Sequence, residues 1–207
     1  MEVQFFGGNC VRLTVKKASV VIDDNLADLG QKTITKSGEV ALFTGAHGNP
    51  KTDVKLTLDA PGEYEVSDLS IKGIAARAHM DEPDKQNATM FKVMADDVRV
   101  AIVGHIYPEL SSSQLEALGT IDVLIIPVGG NGYTMDPVGA LHVIKEIEPK
   151  LVIPTHYDQD GLQFPVPQQS LADALKGLGM EPKETVAKLK LKSGEMGDTT
   201  QLIVLEK

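Results

Sequence analysis

Histidine is the residue type whose positions in this chain point to chemistry. The sequence has five histidines in 207 residues, and one of them, His142, falls within a helical apolar stripe and is assigned no role. Each of the others comes shortly after a predicted strand: His47, His79, His105 and His156. Loops at strand ends are where sites are built, and neutral imidazole is the commonest metal ligand. The spacing therefore fits a metal site assembled from distant segments, or four loop histidines without a common purpose.

The segments that would position these histidines are short apolar strands. Uninterrupted apolar character predicts strands buried on both faces at residues 40–43, 99–103, 124–126 and 151–153, and a further strand at 69–74. Periodicity and capping hydroxyls predict helices at residues 114–118, 137–148 and 168–178. Strand-rich stretches with helices between the later strands favour sheet layers covered by helices, an α/β (α+β) fold. We expect a single domain over residues 1–207.

Composition narrows the class of protein. The net charge of −9 disfavours a nucleic-acid partner, because phosphate binding needs clustered Lys and Arg. The short basic stretch at residues 188–192 alternates with leucines and is expected to be a strand with one wet face, within predicted tail strands at 185–192 and 200–205. The lone Cys10 excludes an intrachain disulfide and a Cys-based zinc cluster. No apolar run reaches a membrane-spanning length and no signal peptide is evident, so we expect a cytoplasmic protein without a membrane partner.

Three segments resemble one known family. They are residues 60–66 (APGEYEV), 121–130 (IDVLIIPVGG) and 149–157 (PKLVIPTHY). Together, in this order and separation, they are typical of metallo-β-lactamase-fold hydrolases of the ascorbate-phosphate-lactonase-like branch. The resemblance runs from residue 1 to about residue 165. It implies a four-layer αββα sandwich and, in intact members, two metals that activate a water for hydrolysis.

The ligand motif of that family is only partly kept. Intact members carry T/S-H-x-H-x-D-H, whereas this chain has TGAHGNP at residues 44–50. Gly45 replaces the first His, Asn49 the Asp and Pro50 the last His. Glycine and proline side chains offer no ligand atom, and Asn49 cannot act as a general base. The resemblance therefore implies that the second metal position is lost.

The later ligand positions are changed as well. The resemblance maps His47, His79 and His156 onto family metal ligands, and His105 onto the Asp that bridges the two metals. Asp23 matches a carboxylate that supports the metal loop. Near the N-terminus, where the family often has Gly-His-(Ala/Ser)-Cys, the chain reads GGNC at residues 7–10. Without the bridging carboxylate, two divalent cations would repel each other, so at most one metal is expected.

Two hypotheses follow for function. In the first, His47, His79, His105 and His156 hold one divalent transition metal, with zinc expected first, and Asp23 and Asn49 orient loop and ligand. The protein would then be a metal-dependent hydrolase acting on a small lactone, ester or phosphorylated metabolite. In the second, the protein is a non-catalytic pseudoenzyme that keeps the fold and binds a metal, a small ligand or a protein partner. The expected partner is a small molecule, and homo-oligomers occur in the lactonase-like branch.

Overall fold

Two mixed β-sheets form the centre of the computed structural model, which describes residues 1–16, 18–45 and 49–207. The first sheet has the order β13-β1-β2-β3-β4-β5. Its strands are β1 (Glu2–Gly7), β2 (Cys10–Val15), β3 (Ala18–Ile22), β4 (Val40–Leu42), β5 (Leu56–Leu58) and β13 (Leu189–Lys190). Strands β3, β4 and β5 run parallel to one another, and β1 pairs antiparallel with both β2 and β13.

The second sheet is parallel at one end and antiparallel at the other. Its order is β12-β14-β11-β10-β9-β8-β7-β6. Its strands are β6 (Gly62–Val66), β7 (Leu69–Ala76), β8 (Ala88–Ala95), β9 (Val98–Ile102), β10 (Val123–Pro127), β11 (Leu151–Thr155), β12 (Pro182–Val186) and β14 (Gln201–Leu205). Strands β9 to β12 and β14 pair in parallel, so their carboxyl ends lie at one edge. That edge carries the loops with His105 and His156.

Three α-helices in the described residues lie with the second sheet. They are α1 (Ser112–Leu118), which contacts β7, α2 (Pro137–Ile147), which contacts β10, and α3 (Leu171–Leu178), which contacts α2. A capping box of Ser111 and Gln114 begins α1, and the Asp136 side chain accepts from Gly139 N to begin α2. The third helix begins at Leu171 rather than at the expected Gln168, because Ser170 caps it through the backbone N–H of Asp173.

The core lies between the sheets and follows strand alternation. On the first sheet the inward residues include Val3, Leu13 and Val20, each fully buried. The predicted buried runs 40–43, 124–126 and 151–153 are buried throughout. Run 99–103 is buried except at Arg99, whose guanidinium donates to the buried Asp122 carboxylate at 2.8 and 3.0 Å. The prediction of two sheets with these strands inside is confirmed.

The face of the first sheet that points away from the second sheet is covered by few residues. A small separate cluster of Cys10, Val21 and Leu26 packs there with Ile34 and Leu162. In the described residues this cover is a 3-10 helix, Leu26–Leu29, rather than an α-helix. Cys10 is fully buried, and burial raises the pKa of its thiol well above the ordinary value, which agrees with a core residue.

The predicted extent of one strand is wrong. Residues 185–192 do not form a single strand, because β12 ends at Val186 in the second sheet and β13 begins at Leu189 in the first. The chain crosses between the sheets here. Within residues 188–192 both leucines are buried and the three lysines are exposed, so the expected wet face is confirmed. Across the described residues, no helix has the length and apolar character to cross a membrane.

Candidate functional site

A cavity of about 550 Å³ lies where loops from both sheets meet. Asn9 enters it from the β1–β2 turn and Asp23 from the end of β3. His105 enters from the loop after β9 and His156 from the end of β11. The volume lies within the range of small-molecule sites, which suits a small metabolite. The cavity thus collects polar groups from four separate strand ends, and two of the four predicted histidines, His105 and His156, are among them.

His105 and His156 form a close pair in the cavity wall. Their ring centroids are 4.5 Å apart, with an interplanar angle of 86°. Tyr133 lies against both rings, edge-on to His105 at 5.3 Å and stacked on His156 at 5.8 Å. Phe164 covers His156 from another side at 4.8 Å. Aromatic packing therefore holds both imidazoles in place.

The imidazole of His156 is fixed by hydrogen bonds as well. Its backbone N–H donates to Gly8 O at 2.8 Å, and its φ of 53° is in the left-handed region. Its Nδ1 lies 3.1 Å from Gln168 Oε1, while Gln168 Nε2 donates to Val166 O at 2.7 Å. The glutamine oxygen can only accept, so Nδ1 carries the proton and Nε2 keeps its lone pair. Burial lowers the pKa of His156 to about 4.

His105 is neutral for a related reason. Burial, with the nearby His156 and His79, lowers its pKa to about 3. Its buried Nδ1 has no hydrogen-bond partner among the described residues. The backbone N–H of His79 donates to His105 O at 2.7 Å, and the buried His79 Nδ1 lies near the Ile106 backbone without a hydrogen bond of good geometry in the described part of the chain. Burial also lowers the pKa of His79. His79 is not among the described residues that line the cavity.

The donor set suits a soft or borderline metal in chemical type. Neutral imidazole is the ligand form that transition metals bind, and His105 and His156 are both in that form. Among the described residues, however, no three His, Cys, Asp or Glu side chains lie close enough together to hold a metal ion. His47 falls in residues 46–48, outside the described ranges. The four-histidine metal site therefore stays a prediction, with His105 and His156 the two members brought together in the cavity.

Asp23 supports the segment that leads into residues 46–48. Its carboxylate accepts from Thr44 N at 2.7 Å and from Thr44 Oγ1 at 2.6 Å. Burial raises the pKa of Asp23 to about 6, although both Thr44 bonds act to lower it. Gly104 packs against the same threonine, where an added Cβ would lie 2.1 Å from Thr44 Oγ1. Asp23 thus holds Thr44 in place, and its role in orienting a metal or ligand stays a prediction.

Three other residues differ from what the sequence predicts for the site. Asn49, expected to contact a ligand, is exposed and is not among the described residues that line the cavity. Gln168, expected in a helix, instead holds His156, and Ser170 with its cap on Asp173 N was the available signal that the helix begins later. Tyr133 lies in a loop, and no local pattern in the sequence marked it.

The comparisons with known proteins identify the class of this fold. Residues 2–156, more than half of the chain, match the model of the beta-lactamase superfamily domain. The chain belongs to this superfamily.

Individual relatives agree with that assignment. A solved structure from Thermotoga maritima, described as a candidate Zn-dependent hydrolase of the metallo-β-lactamase superfamily, superposes with a TM-score of 0.76 at 25% identity and covers 100% of both chains. A UPF0173 metal-dependent hydrolase of Salinibacter ruber is 26% identical over 196 residues, 76% of this chain and 85% of the relative. Another from Thermus thermophilus is 23% identical over 225 residues, covering 90% and 98%. The predicted metallo-β-lactamase sandwich is confirmed.

Proposed function

We propose that this protein is a metal-dependent hydrolase of the metallo-β-lactamase fold whose degenerate site binds at most one divalent metal and acts on a small lactone, ester or phosphorylated metabolite. The observation that carries the proposal is the His105–His156 pair, two neutral imidazoles with ring centroids 4.5 Å apart in one cavity. The names of the relatives, all metal-dependent hydrolases, support it.

In this proposal the metal ligands are His47, His79, His105 and His156. A single divalent ion, zinc first, would lower the pKa of a bound water and polarise a carbonyl or phosphoryl oxygen. The protein's own residues do the positioning. Gln168 holds His156 with Nε2 free, and Asp23 holds Thr44 beside the segment that leads to His47. The aromatic rings of Tyr133 and Phe164 pack against the imidazoles and help to hold them in position.

The degenerate motif limits the metal to one. Asn49 is exposed, and Pro50 has no ligand atom, so the pair that completes a second site in intact relatives is missing. His105 provides no negative charge to offset two cations. A site of neutral imidazoles should bind its metal with moderate affinity that falls as the pH is lowered.

The test combines metal content with turnover. We expect purified protein supplied with zinc to hold no more than one ion per chain by elemental analysis, and to hydrolyse γ-butyrolactone or p-nitrophenyl acetate in a chelator-sensitive manner. Two tightly bound ions per chain would contradict the one-metal site. One bound ion without turnover of esters, lactones or phosphate esters would contradict the hydrolase.

A non-catalytic binding module is the second candidate. It is favoured by one observation: within the described ranges, no three His, Cys, Asp or Glu side chains lie close enough together to hold a metal ion. This candidate predicts binding of small ligands at the cavity with no stoichiometric metal. For either function we propose a cytoplasmic, acidic protein whose partner is a small molecule rather than nucleic acid, since the net charge is −9. The oligomeric state is tested by light scattering.

A further inference from the structure

We propose that the side-chain amide of Asn9 is a substrate-binding group that donates a hydrogen bond from Nδ2 to the carbonyl oxygen of a neutral lactone, ester or amide. The inference rests on the proposed function for its interpretation of the cavity as a substrate pocket. It goes further by naming the atom that recognises the ligand and the chemical group that is recognised.

The orientation of the Asn9 amide is set by one hydrogen bond. Thr155 Oγ1 donates to Asn9 Oδ1 at 2.8 Å, so the amide oxygen is engaged and Nδ2 lies on the other side. Asn9 is only 8% exposed and lines the cavity. Its Nδ2 is buried and has no hydrogen-bond partner among the described residues. A buried amide donor without a partner is unfavourable in a folded protein, and a ligand oxygen would satisfy it.

The turn that carries Asn9 is tied to the loop that carries His156. The backbone N–H of His156 donates to Gly8 O at 2.8 Å, and Gly8 N donates to Gln159 Oε1 at 3.1 Å. Gly8 has a φ of 57°, a left-handed conformation that glycine adopts without a Cβ clash. Thr155, which orients the amide, directly precedes His156. The donor and the imidazole are therefore held together as one rigid unit.

The charges around the cavity select the kind of oxygen. Among the described lining residues, the acidic carboxyl side chains are Asp23 and Asp28, the two histidines are neutral, and there is no Lys or Arg. In the metal-free protein, a phosphate or carboxylate would meet no protein cation there and would lie near carboxylates. A neutral carbonyl needs only a neutral donor. A fixed N–H on that oxygen would also bind more strongly as negative charge develops during attack on the carbonyl.

The experiment observes the amide directly. We would titrate 2-pyrrolidone, a neutral ring carbonyl that resists hydrolysis, into ¹⁵N-labelled protein and follow the side-chain amide signals. The Asn9 signal is assigned by its disappearance in Asn9→Asp, a variant whose carboxylate can still accept from Thr155. We expect the Asn9 Nδ2 signal to shift on saturation, and Asn9→Asp to weaken binding by about three- to ten-fold, the worth of one neutral hydrogen bond.

The matched control is Asn25→Asp, because Asn25 also lines the cavity but is exposed. It adds the same charge to the same pocket and should leave the affinity for 2-pyrrolidone unchanged. An unshifted Asn9 signal at saturation, or equal weakening by both variants, would overturn the proposal. If the Asn9 signal shifts while no ester or lactone is hydrolysed, the hydrolase fails and the amide assignment stands. If lactone is hydrolysed while the Asn9 signal does not move, the reverse holds.

Discussion

Gln168 Oε1 lies 3.1 Å from His156 Nδ1 and determines which ring nitrogen carries the proton. The glutamine amide cannot turn freely, because its Nε2 donates to Val166 O. His156 is thus held as the Nδ1–H tautomer, with Nε2 left as a lone-pair donor. A residue from the loop before α3 in this way sets the chemistry of a residue at the end of β11.

Replacing this glutamine by a carboxylate should change the basicity of His156. In Gln168→Glu the anion would accept the same hydrogen bond and stabilise the imidazolium, raising the pKa of His156 from about 4 by about one unit or more. The measurement is an NMR titration of the histidine ring protons. Gln169→Glu is the control, since it adds equal charge one residue away. An equal rise in both variants would mean a general field effect rather than this bond.

Acid should destabilise the protein through its buried histidines. The folded-state pKa of His156 is about 4, below the unfolded value of about 6.5, so the unfolded chain binds more protons between these limits. The free energy of unfolding should therefore fall as pH drops from about 6.5 to 4, with no contribution from this group above that window. Asp23 acts oppositely, because its pKa is raised to about 6 and the folded state gains protons first.

The variant His156→Asn removes the titration of His156 and leaves that of Asp23, so it separates the two contributions to the pH dependence of stability. Asparagine is chosen because it tolerates the left-handed conformation at this position. Urea unfolding of the metal-free proteins at several pH values gives the difference in unfolding free energy between wild type and variant. That difference should shrink by up to about 3 kcal/mol between pH 7 and pH 4. A difference that is constant with pH would show that His156 does not titrate as described.

Metal affinity should depend on His105 and not on His142. His105 lines the cavity beside His156, whereas His142 is exposed on α2 near Glu146. We expect His105→Ala to weaken zinc binding by more than about ten-fold and His142→Ala to leave it unchanged. Competition with a chromogenic chelator measures both. If His105→Ala alters stability but not zinc content, the histidines only pack, and the non-catalytic binder becomes the better description.

Gly104 should not accept a side chain. An alanine there would meet Thr44 Oγ1 at 2.1 Å and disturb the bonds from Thr44 to Asp23, in addition to its unfavourable φ of 59°. Gly132 has a φ of 75° but open space around its Cβ position, so Gly132→Ala carries the backbone cost alone. Chemical denaturation should show Gly104→Ala to be less stable than Gly132→Ala by about 2 kcal/mol or more. Equal losses would mean that the close approach is relieved without cost.

The elements of the fold were predictable because their signals are local. Buried strands at residues 40–43 and 151–153 are continuous apolar runs, and the helix of residues 137–148 has both its stripe and its Asp136 cap in the sequence. Side-chain periodicity of a strand or helix depends on neighbours within a few positions. The strand predicted at residues 185–192 was wrong because its boundaries depend on non-local pairing. The chain changes sheet between Val186 and Leu189, where it pairs with β14 on one side and β1 on the other, and both are distant in sequence.

The sequence by itself determines which side chains are available at the site, and the tertiary structure determines which of them contact one another. Four histidines near predicted strand ends and a carboxylate at Asp23 can be identified in the sequence, whereas the expected loss of the second metal position depends on the resemblance of residues 44–50 to the family motif. The sequence did not indicate that His105 and His156 meet edge to face, that Gln168 selects a tautomer, or that Thr155 turns the Asn9 amide. Thr155 and Asn9 are 146 positions apart, and a hydrogen bond needs its atoms within about 3 Å, a precision that only the packing of two sheets provides.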